Sequence, residues 1–351
     1  MKHPSVAIVR SDFHDRHSTS WGHVWLEYCV DADLPHSLID WRGLGAFEAL
    51  AKHDIVVWHY SHFSRDEMLF ARSILVALKA VGCRVFPDVA DSDHFDDKIA
   101  QSYLLKALGI AMPKDYPMHC RSAVDEWIRD VGEFPVVAKL RTGSGASNVR
   151  LITSADELRH YAKRMFGRGF SGKPDTVFKI KSNVASARSL KDIVKRLKRA
   201  PEFFFSLRNA RGLPRERGYV YLQEFMPGLD YDLKVVVVGD QLSFIGRSVR
   251  AGDFRASGGG GLFYERTLID QTIIDSAFQA ADTLRSDCTG FDMIKDPRNG
   301  QPVILEVSYG FSHTALLGSG GHFDREGNWH DTPLNAPRAL LDRLVKEVTG
   351  Q

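Results

Sequence analysis

The chain is read most directly from GFDMIKDPRNGQPVILEVSYGF, residues 290–311. Two apolar runs, 291–294 and 303–307, flank Pro297-Arg298-Asn299-Gly300, the pattern of a β-hairpin. A three-residue loop at 298–300, with glycine last, predicts a type I turn followed by a bulge. That register sets Asp292 opposite Glu306. Side chains alternate faces along a strand, so Glu306 and Ser308 share one face. Two carboxylates and a hydroxyl then converge on one patch of sheet. Such a patch suits a hard divalent cation that keeps an open side for phosphates: Mg²⁺, with Mn²⁺ as a substitute. The hairpin alone leaves open a second reading, in which both acids simply face water.

The residues before the hairpin bear on that choice. Helix 271–284 precedes it. Further back, Arg247, Arg250 and Arg255 cluster around Gly252-Asp253-Phe254-Arg255, and four glycines follow at 258–261. Strands are expected at 219–225, 232–238 and 241–247. The first ends in Gln223-Glu224-Phe225-Met226-Pro227-Gly228. Strand 134–140 carries Lys139 and runs into Arg141-Thr142-Gly143-Ser144-Gly145-Ala146-Ser147-Asn148 before strand 149–152. A Gly/Ser-rich turn after a lysine can fold backbone N–H groups over phosphates. It lacks GxxxxGK[ST] and is no Walker loop; many hairpins are glycine-rich for no other reason. Asp96-Asp97-Lys98 opens a helix with acids in its first turn, and Ile99, Tyr103, Leu104 and Leu108 form the expected apolar stripe. Ser154 with Glu157 forms a capping box for helix 154–166.

Residues 1–90 read as a small α/β unit: strands at 6–9, 54–58 and 84–86, helices at 21–29 and 64–81, hence a parallel sheet covered on both faces. No GxGxxG follows its first strand. His59 and His62 fall at a strand end, where ligands of open α/β sheets sit, though no metal-ligand spacing accompanies them. The loop 318–331 and its surroundings hold His313, His322, Asp324, Trp329 and His330, again without such spacing. The last helix spans 337–348.

Hydrophobic and charged contents of 44% and 26% are those of a soluble globular chain. No apolar run is long enough for a bilayer, and the start, MKHPSVAIVRSDFHD, does not read as a signal peptide. Four scattered cysteines with no CxxC pair fit a reducing cytoplasm. The formal charge of +2 hides an asymmetry: residues 163–217 hold 16 Lys+Arg and 4 Asp+Glu, net 16 − 4 = +12. This implies either an anionic ligand nearby or a solvated helix face. No recognised nucleic-acid module accompanies it, so nucleic acid is not the expected partner.

Taken together, Asp97-Lys98, Lys139 before a Gly-rich loop, Gln223-Glu224-Phe225, Asp232, Gly252–Arg255, Asp292 and Glu306 resemble the ATP-grasp superfamily. The order is that of its glutathione-synthetase-like branch, which includes the ribosomal-protein glutamate ligases. The resemblance covers about residues 95–310. FDDKIAQSYLL, KLRTGSGASNV, QEFMPGLDYDLKVVVVGD, DFRASGGGG and EVSYGF are also similar to functionally unassigned ATP-grasp proteins, some associated with bacterial surface-glycan loci.

The resemblance implies an α/β ATP-grasp fold with an N-terminal parallel-sheet domain at 1–92. A small lobe would span 93–222, with a basic insertion at 172–217, and a large lobe 223–351, the two enclosing ATP. It implies that Lys98 and Lys139 contact the phosphates and that 143–147, including Ser144, Gly145, Ala146 and Ser147, form a lid. Gln223, Glu224, Phe225 and Met226 would line the adenine side, with backbone groups of Glu224 and Met226 reading the purine edge. Asp232 would hold the ribose. Asp292, Glu306 and Ser308 would take Mg²⁺, and Arg255, Arg247 and Lys234 would stabilise the transferred phosphoryl group. The family usually has Asn where this chain has Ser308, and a hydroxyl reaches less far than an amide.

The activity so implied is carboxylate–amine ligation with ATP through an acyl-phosphate, on small, glycan- or peptide-related substrates. A phosphotransferase and a non-catalytic nucleotide-binding module are the alternatives. No Ser-His-Asp or Cys-His arrangement is evident, and phosphoryl transfer needs none.

Overall fold

The computed structural model describes residues 3–171, 215–249 and 261–350, apart from positions 12, 18, 63 and 144–147. The expected lid residues Ser144, Gly145, Ala146 and Ser147, Arg255, the 258–260 glycines and most of the basic insertion lie outside these described residues.

Four short strands form the first sheet: β1 (Val6–Val9), β2 (His36–Ile39), β3 (Ile55–Val57) and β4 (Arg84–Phe86), all parallel, in the order β2-β1-β3-β4. β1 and β3 are buried throughout, as parallel strands covered on both faces must be. β2 has no counterpart in the sequence reading; it is an edge strand with alternating exposure and little apolar signal. Helices α1 (Trp21–Asp31), α2 (Ala46–Leu50) and α3 (Arg65–Ala80) connect these strands. Ser64 caps α3 by accepting from the Glu67 N–H.

The second sheet is antiparallel, β5 (Asp115–Met118), β10 (Val220–Glu224), β6 (Val136–Lys139) and β7 (Val149–Ile152), in the order β5-β10-β6-β7. β5 carries Pro117, which an edge strand tolerates. Between the two sheets come α4 (Val89–His94) and α5 (Lys98–Ala107). Helices α6 (Arg121–Asp130) and α7 (Ala155–Met165) cover the second sheet with Val124, Trp127, Leu158 and Met165. Ser154 caps α7, while Glu157 reaches back to Thr153 rather than to Ser154 itself. The pair β8 (Phe170–Ser171) and β9 (Arg215–Glu216) joins the two sides of the insertion.

The third sheet runs β15 (Pro302–Ser308), β14 (Cys288–Lys295), β11 (Tyr231–Val238), β12 (Gln241–Ser248), β16 (His322–Phe323) and β17 (Trp329–His330), with β13 (Leu262–Phe263) on β12. Leu233, Val235 and Val237 pack under α8 (Gln271–Leu284). α9 (His313–Leu316) follows β15. α10 (Ala336–Thr349) does not stay with this lobe alone. Leu340, Leu341 and Leu344 join the core of the first sheet, Trp25 Nε1 donates to Pro337 O at 2.9 Å and Tyr28 OH donates to Asp342 at 3.0 Å. The first unit therefore closes on residues far outside 1–92.

Asp292 pairs with Glu306 across the hairpin, as the sequence predicts, but by a different route. The loop has four residues, 297–300: Asp296 N donates to Gln301 O at 2.8 Å and Gly300 N to Asp296 O at 2.7 Å. A bulge beside Leu305 then shifts the register between Asp292 and Met293. The extra loop residue and the bulge cancel. No helix among the described residues is long and apolar enough to cross a membrane.

Candidate active site

The α5 helix is buried through a polar face. Lys98, Gln101, Ser102 and Leu105 are its buried residues, whereas Tyr103 and Leu108, expected on the apolar stripe, are exposed. The reason is the neighbour. Gln101 meets the backbone of edge strand β15, donating to Val307 O at 2.7 Å and accepting from Val307 N at 3.1 Å. An edge strand's unpaired backbone groups need such partners when buried. The helix start is equally fixed. Asp97 accepts from Ile99 N and Ala100 N, and Arg141 Nε donates to it at 2.7 Å. Lys98, the first helical residue, is thereby aimed at the hairpin: its Nζ donates to Gly143 O at 2.7 Å and lies 3.5 Å from Glu306 Oε1. Burial opposes its charge, but Glu306 and Asp96 outweigh that and raise its pKa.

Lys139 projects from the end of β6 to Gln223 on the neighbouring β10 and hydrogen-bonds its side-chain oxygen. Burial, aided by the charge of Lys98, pulls Lys139 down to about 8. Gln223 Nε2 is buried without a partner among the described residues.

The third sheet supplies a rung of charge. Glu306, Asp292, Lys234 and Ile245 are successive neighbours across β15, β14, β11 and β12. Lys234 pairs with Asp292; Arg247 lies 3.0 Å from Asp292 and grips Asp232 with two hydrogen bonds of 2.6 and 2.7 Å. Burial opposes ionisation of Asp292, yet Arg247 and Lys234 hold it at about 2. Asp232, which has only part of Arg247, is raised by burial. Gly290 makes room for this rung, because a Cβ there would stand 3.2 Å from Lys234 Cδ and from Phe311. Ser308 faces the same side, but its hydroxyl accepts from Gly310 N at 3.0 Å and donates to Gly310 O at 3.2 Å, closing a local turn.

One cavity of about 540 Å³ is lined by Lys98, Lys139, Gln223, Glu224, Met226, Asp232, Lys234, Arg247, Asp292, Glu306 and Ser308. These are all the expected site residues among the described ones except Phe225, which lies in a separate groove with Trp127, Phe134 and Pro227. Glu224 gives its side chain to Arg298 and its N–H to Lys114 O at 2.7 Å, so the backbone group it has left for a ligand is its carbonyl.

The sequence reading passed over several lining residues. Val137, Leu229 and Leu305 add apolar walls beside Met226. Asp96 holds a left-handed backbone, φ 52°, accepts from Gly143 N at 2.9 Å, and is raised by burial to about 6. Its place next to the quoted Asp97-Lys98 was the available signal. Phe95, His62, Gly310, Phe311 and Ser312 line the cavity's other end. Behind them His59 is stacked on Trp21 at 4.4 Å and on His14 at 4.0 Å, with both ring nitrogens buried and unpartnered among the described residues. Burial, then His62 and His17, pushes His14 down to about 3, and burial lowers His59 as well, so both rings are neutral. Near 318–331, His330 bonds Asp324 and His322 bonds Thr332 O, each at 2.8 Å.

Among the described residues no group of three or more His, Cys, Asp or Glu side chains is placed to hold a metal ion. Asp292 and Glu306, opposed on adjacent strands and facing the cavity, make a two-carboxylate set. That set fits a hard cation whose other ligands come from phosphate and water.

Comparison with known proteins bears on the fold. Residues 217–315 match the model of the RimK-like ATP-grasp domain. No curated protein matches the sequence. Among solved structures, a RimK-domain ATP-grasp protein from Sphaerobacter thermophilus superposes with a TM-score of 0.53 at 16% identity, covering 97% of this chain and 99% of that one. D-alanine–D-alanine ligase from Bacillus anthracis, complexed with ATP, gives 0.57 at 11% identity, covering 100% and 98%. The ATP-grasp ligase PsnB, complexed with precursor peptide PsnA2 and AMPPNP, gives 0.53 at 15%, covering 98% of each. The chain has the ATP-grasp fold, with a parallel-sheet N-terminal unit and two antiparallel sheets flanking one cleft.

Proposed function

We propose that the chain is an ATP-dependent carboxylate–amine ligase. One observation carries this reading: Lys98 and Lys139 from the second sheet's side and two opposed carboxylates from the third sheet face a single cavity. The solved structures named above include two ligases, one holding ATP and one holding AMPPNP with a peptide, which supports the class of reaction.

In this reading the purine lies among Val137, Met226, Leu229 and Leu305, with the Glu224 carbonyl and the Met226 backbone on its edge. Lys98 and Lys139 neutralise phosphate charge as it moves from the nucleotide to a substrate carboxylate. Asp292 and Glu306 hold Mg²⁺ or Mn²⁺, whose Lewis acidity lowers the charge barrier to transfer. Lys234 and Arg247 set the position of Asp292 and keep it ionised; Arg247 also fixes Asp232 on the ribose side. Arg255 and the 143–147 lid act over the phosphates. An amine then displaces phosphate from the acyl-phosphate, giving an amide, ADP and inorganic phosphate. The carboxylate and amine enter at the His62–Phe311–Ser312 end, on small, glycan- or peptide-related substrates. Ser308, committed to Gly310, contributes least to the metal.

The test is ADP release from ATP with panels of carboxylic acids, each with and without amines. Release that needs both substrates supports ligation. A stable phosphorylated product without amine replaces it with phosphotransfer, and nucleotide binding with no turnover across the panels replaces it with a binding module.

A further inference from the structure

Four arginines crowd one corner of the second sheet's lobe: Arg150 on β7, Arg164 on α7, Arg168 in the turn that follows and Arg215 on β9. None of them lines the nucleotide cavity. The guanidinium carbons of Arg164 and Arg150 lie 3.9 and 4.8 Å from the centre of the Phe170 ring, on which Tyr161 also stacks at 5.1 Å. Arg164 Nε and Arg215 Nη2 both donate to Gly169 O, at 3.4 and 2.9 Å, and Arg215 Nε donates to Arg168 O at 2.6 Å. The carbonyl on which they meet is held by a close approach. Gly169 has φ 68°, and a Cβ there would stand 2.3 Å from Glu216 O.

The partners here are of the wrong charge. Arg84, Arg141, Arg247, Arg298, Arg325 and Arg338 each meet a carboxylate. Arg150, Arg164 and Arg215 meet neutral carbonyls and a ring, and none of the four arginines has a carboxylate partner among the described residues. Glu216, on the strand paired with Phe170, is engaged by Thr142 at 2.8 Å and Tyr219 at 2.7 Å. Exposed arginines ordinarily splay into water and away from one another. Here aromatic stacking and one carbonyl hold like charges together, and burial with the charges of Arg168, Arg150 and Arg215 lowers the Arg164 pKa.

We propose that this corner is an anion site, separate from the nucleotide cleft, that takes a phosphoryl group of a polyphosphorylated or phosphodiester ligand. Guanidinium forks that meet on one acceptor suit phosphate oxygens, and a polyphosphate or a run of phosphodiesters presents several such anionic groups at close spacing.

The test uses the full chain with ADP at saturation, so that the cleft is filled, and follows anisotropy of fluorescein-labelled decathymidylate. Inorganic tripolyphosphate is the competitor and labelled deca-glutamate the control. Wild type should bind decathymidylate or be occupied by tripolyphosphate; whichever probe binds more tightly tells a polymer from a free oligophosphate. Arg164→Ser with Arg215→Ser should weaken that binding about tenfold and flatten its salt dependence by about two charges. ADP affinity should stay unchanged. Lysine at both positions should restore only part of the loss, because charge returns without the fork. Unchanged binding in the serine variant overturns the proposal. So does deca-glutamate binding as tightly as decathymidylate, which would make the corner an acidic-peptide surface. Should the double variant lose ADP binding too, Arg150→Ser, an exposed side chain, is read by the same criteria.

Discussion

Two halves of one sheet face lie on the same strands and have opposite chemistry. Along β11, Asp232 and Lys234 look into the cleft, while two and four residues further on Val236 and Val238 look into the core shared with the first sheet. The polar half is held by charge pairing, the apolar half by close packing with Cys288, Ile245 and α10. A rung of closely paired charges is tolerable because the same sheet is anchored, one pleat away, by side chains with no polar atoms. Position on the face, and not the strand, separates charge pairing from apolar packing.

That separation can be broken deliberately. The largest change belongs to the apolar half. Leu340→Ala, at a fully buried position, should cost about 2–5 kcal/mol of unfolding free energy. ADP affinity at low temperature should stay at the wild-type value, by denaturant melts and calorimetry; a matching fall in ADP affinity would show that the halves are coupled. Next, Glu306→Gln should lower ATP turnover by at least about a hundredfold, as metal-site substitutions do, with the melting temperature nearly unchanged. Wild-type turnover in that variant would remove Glu306 from the metal site. Lys139→Ala should raise the half-saturating ATP concentration about tenfold, the worth of one charged hydrogen bond. Lys139 also gives a pH signature. It is charged below about 8 and neutral above, so ADP affinity should fall between pH 7 and 9. Lys139→Arg should flatten that profile. The smallest effect is expected from Ser308→Ala: less than about threefold on turnover, because the hydroxyl already serves Gly310. A collapse in turnover would make Ser308 a working ligand.

The hairpin, its two carboxylates and the lysines were legible because strand alternation and the order of motifs are local in sequence. What stayed hidden was set by neighbours. The Asp292–Glu306 pairing came out right although the turn was read one residue short, since a bulge restored the register. The buried face of α5 could not be read from apolar spacing, because its burial serves the backbone of β15 through Gln101. Phe225 looked like part of the adenine wall from its place in the motif, yet it lies just past the end of β10 in a separate groove with Trp127 and Phe134. His59 reads as one histidine among many; only the stack on Trp21 and His14 marks it.

The α10 helix has a consequence for how the chain is made. Its leucines complete the core of a sheet whose last strand ends at Phe86, while α10 begins at Ala336. At roughly 5–20 residues per second of synthesis, the sheet waits on the order of tens of seconds for its seal. During that interval Trp25 and the strands beneath α10 stay open to solvent or to a chaperone. A fragment of the first ninety residues, however complete its strands, carries that opening permanently and is expected to aggregate where the full chain folds.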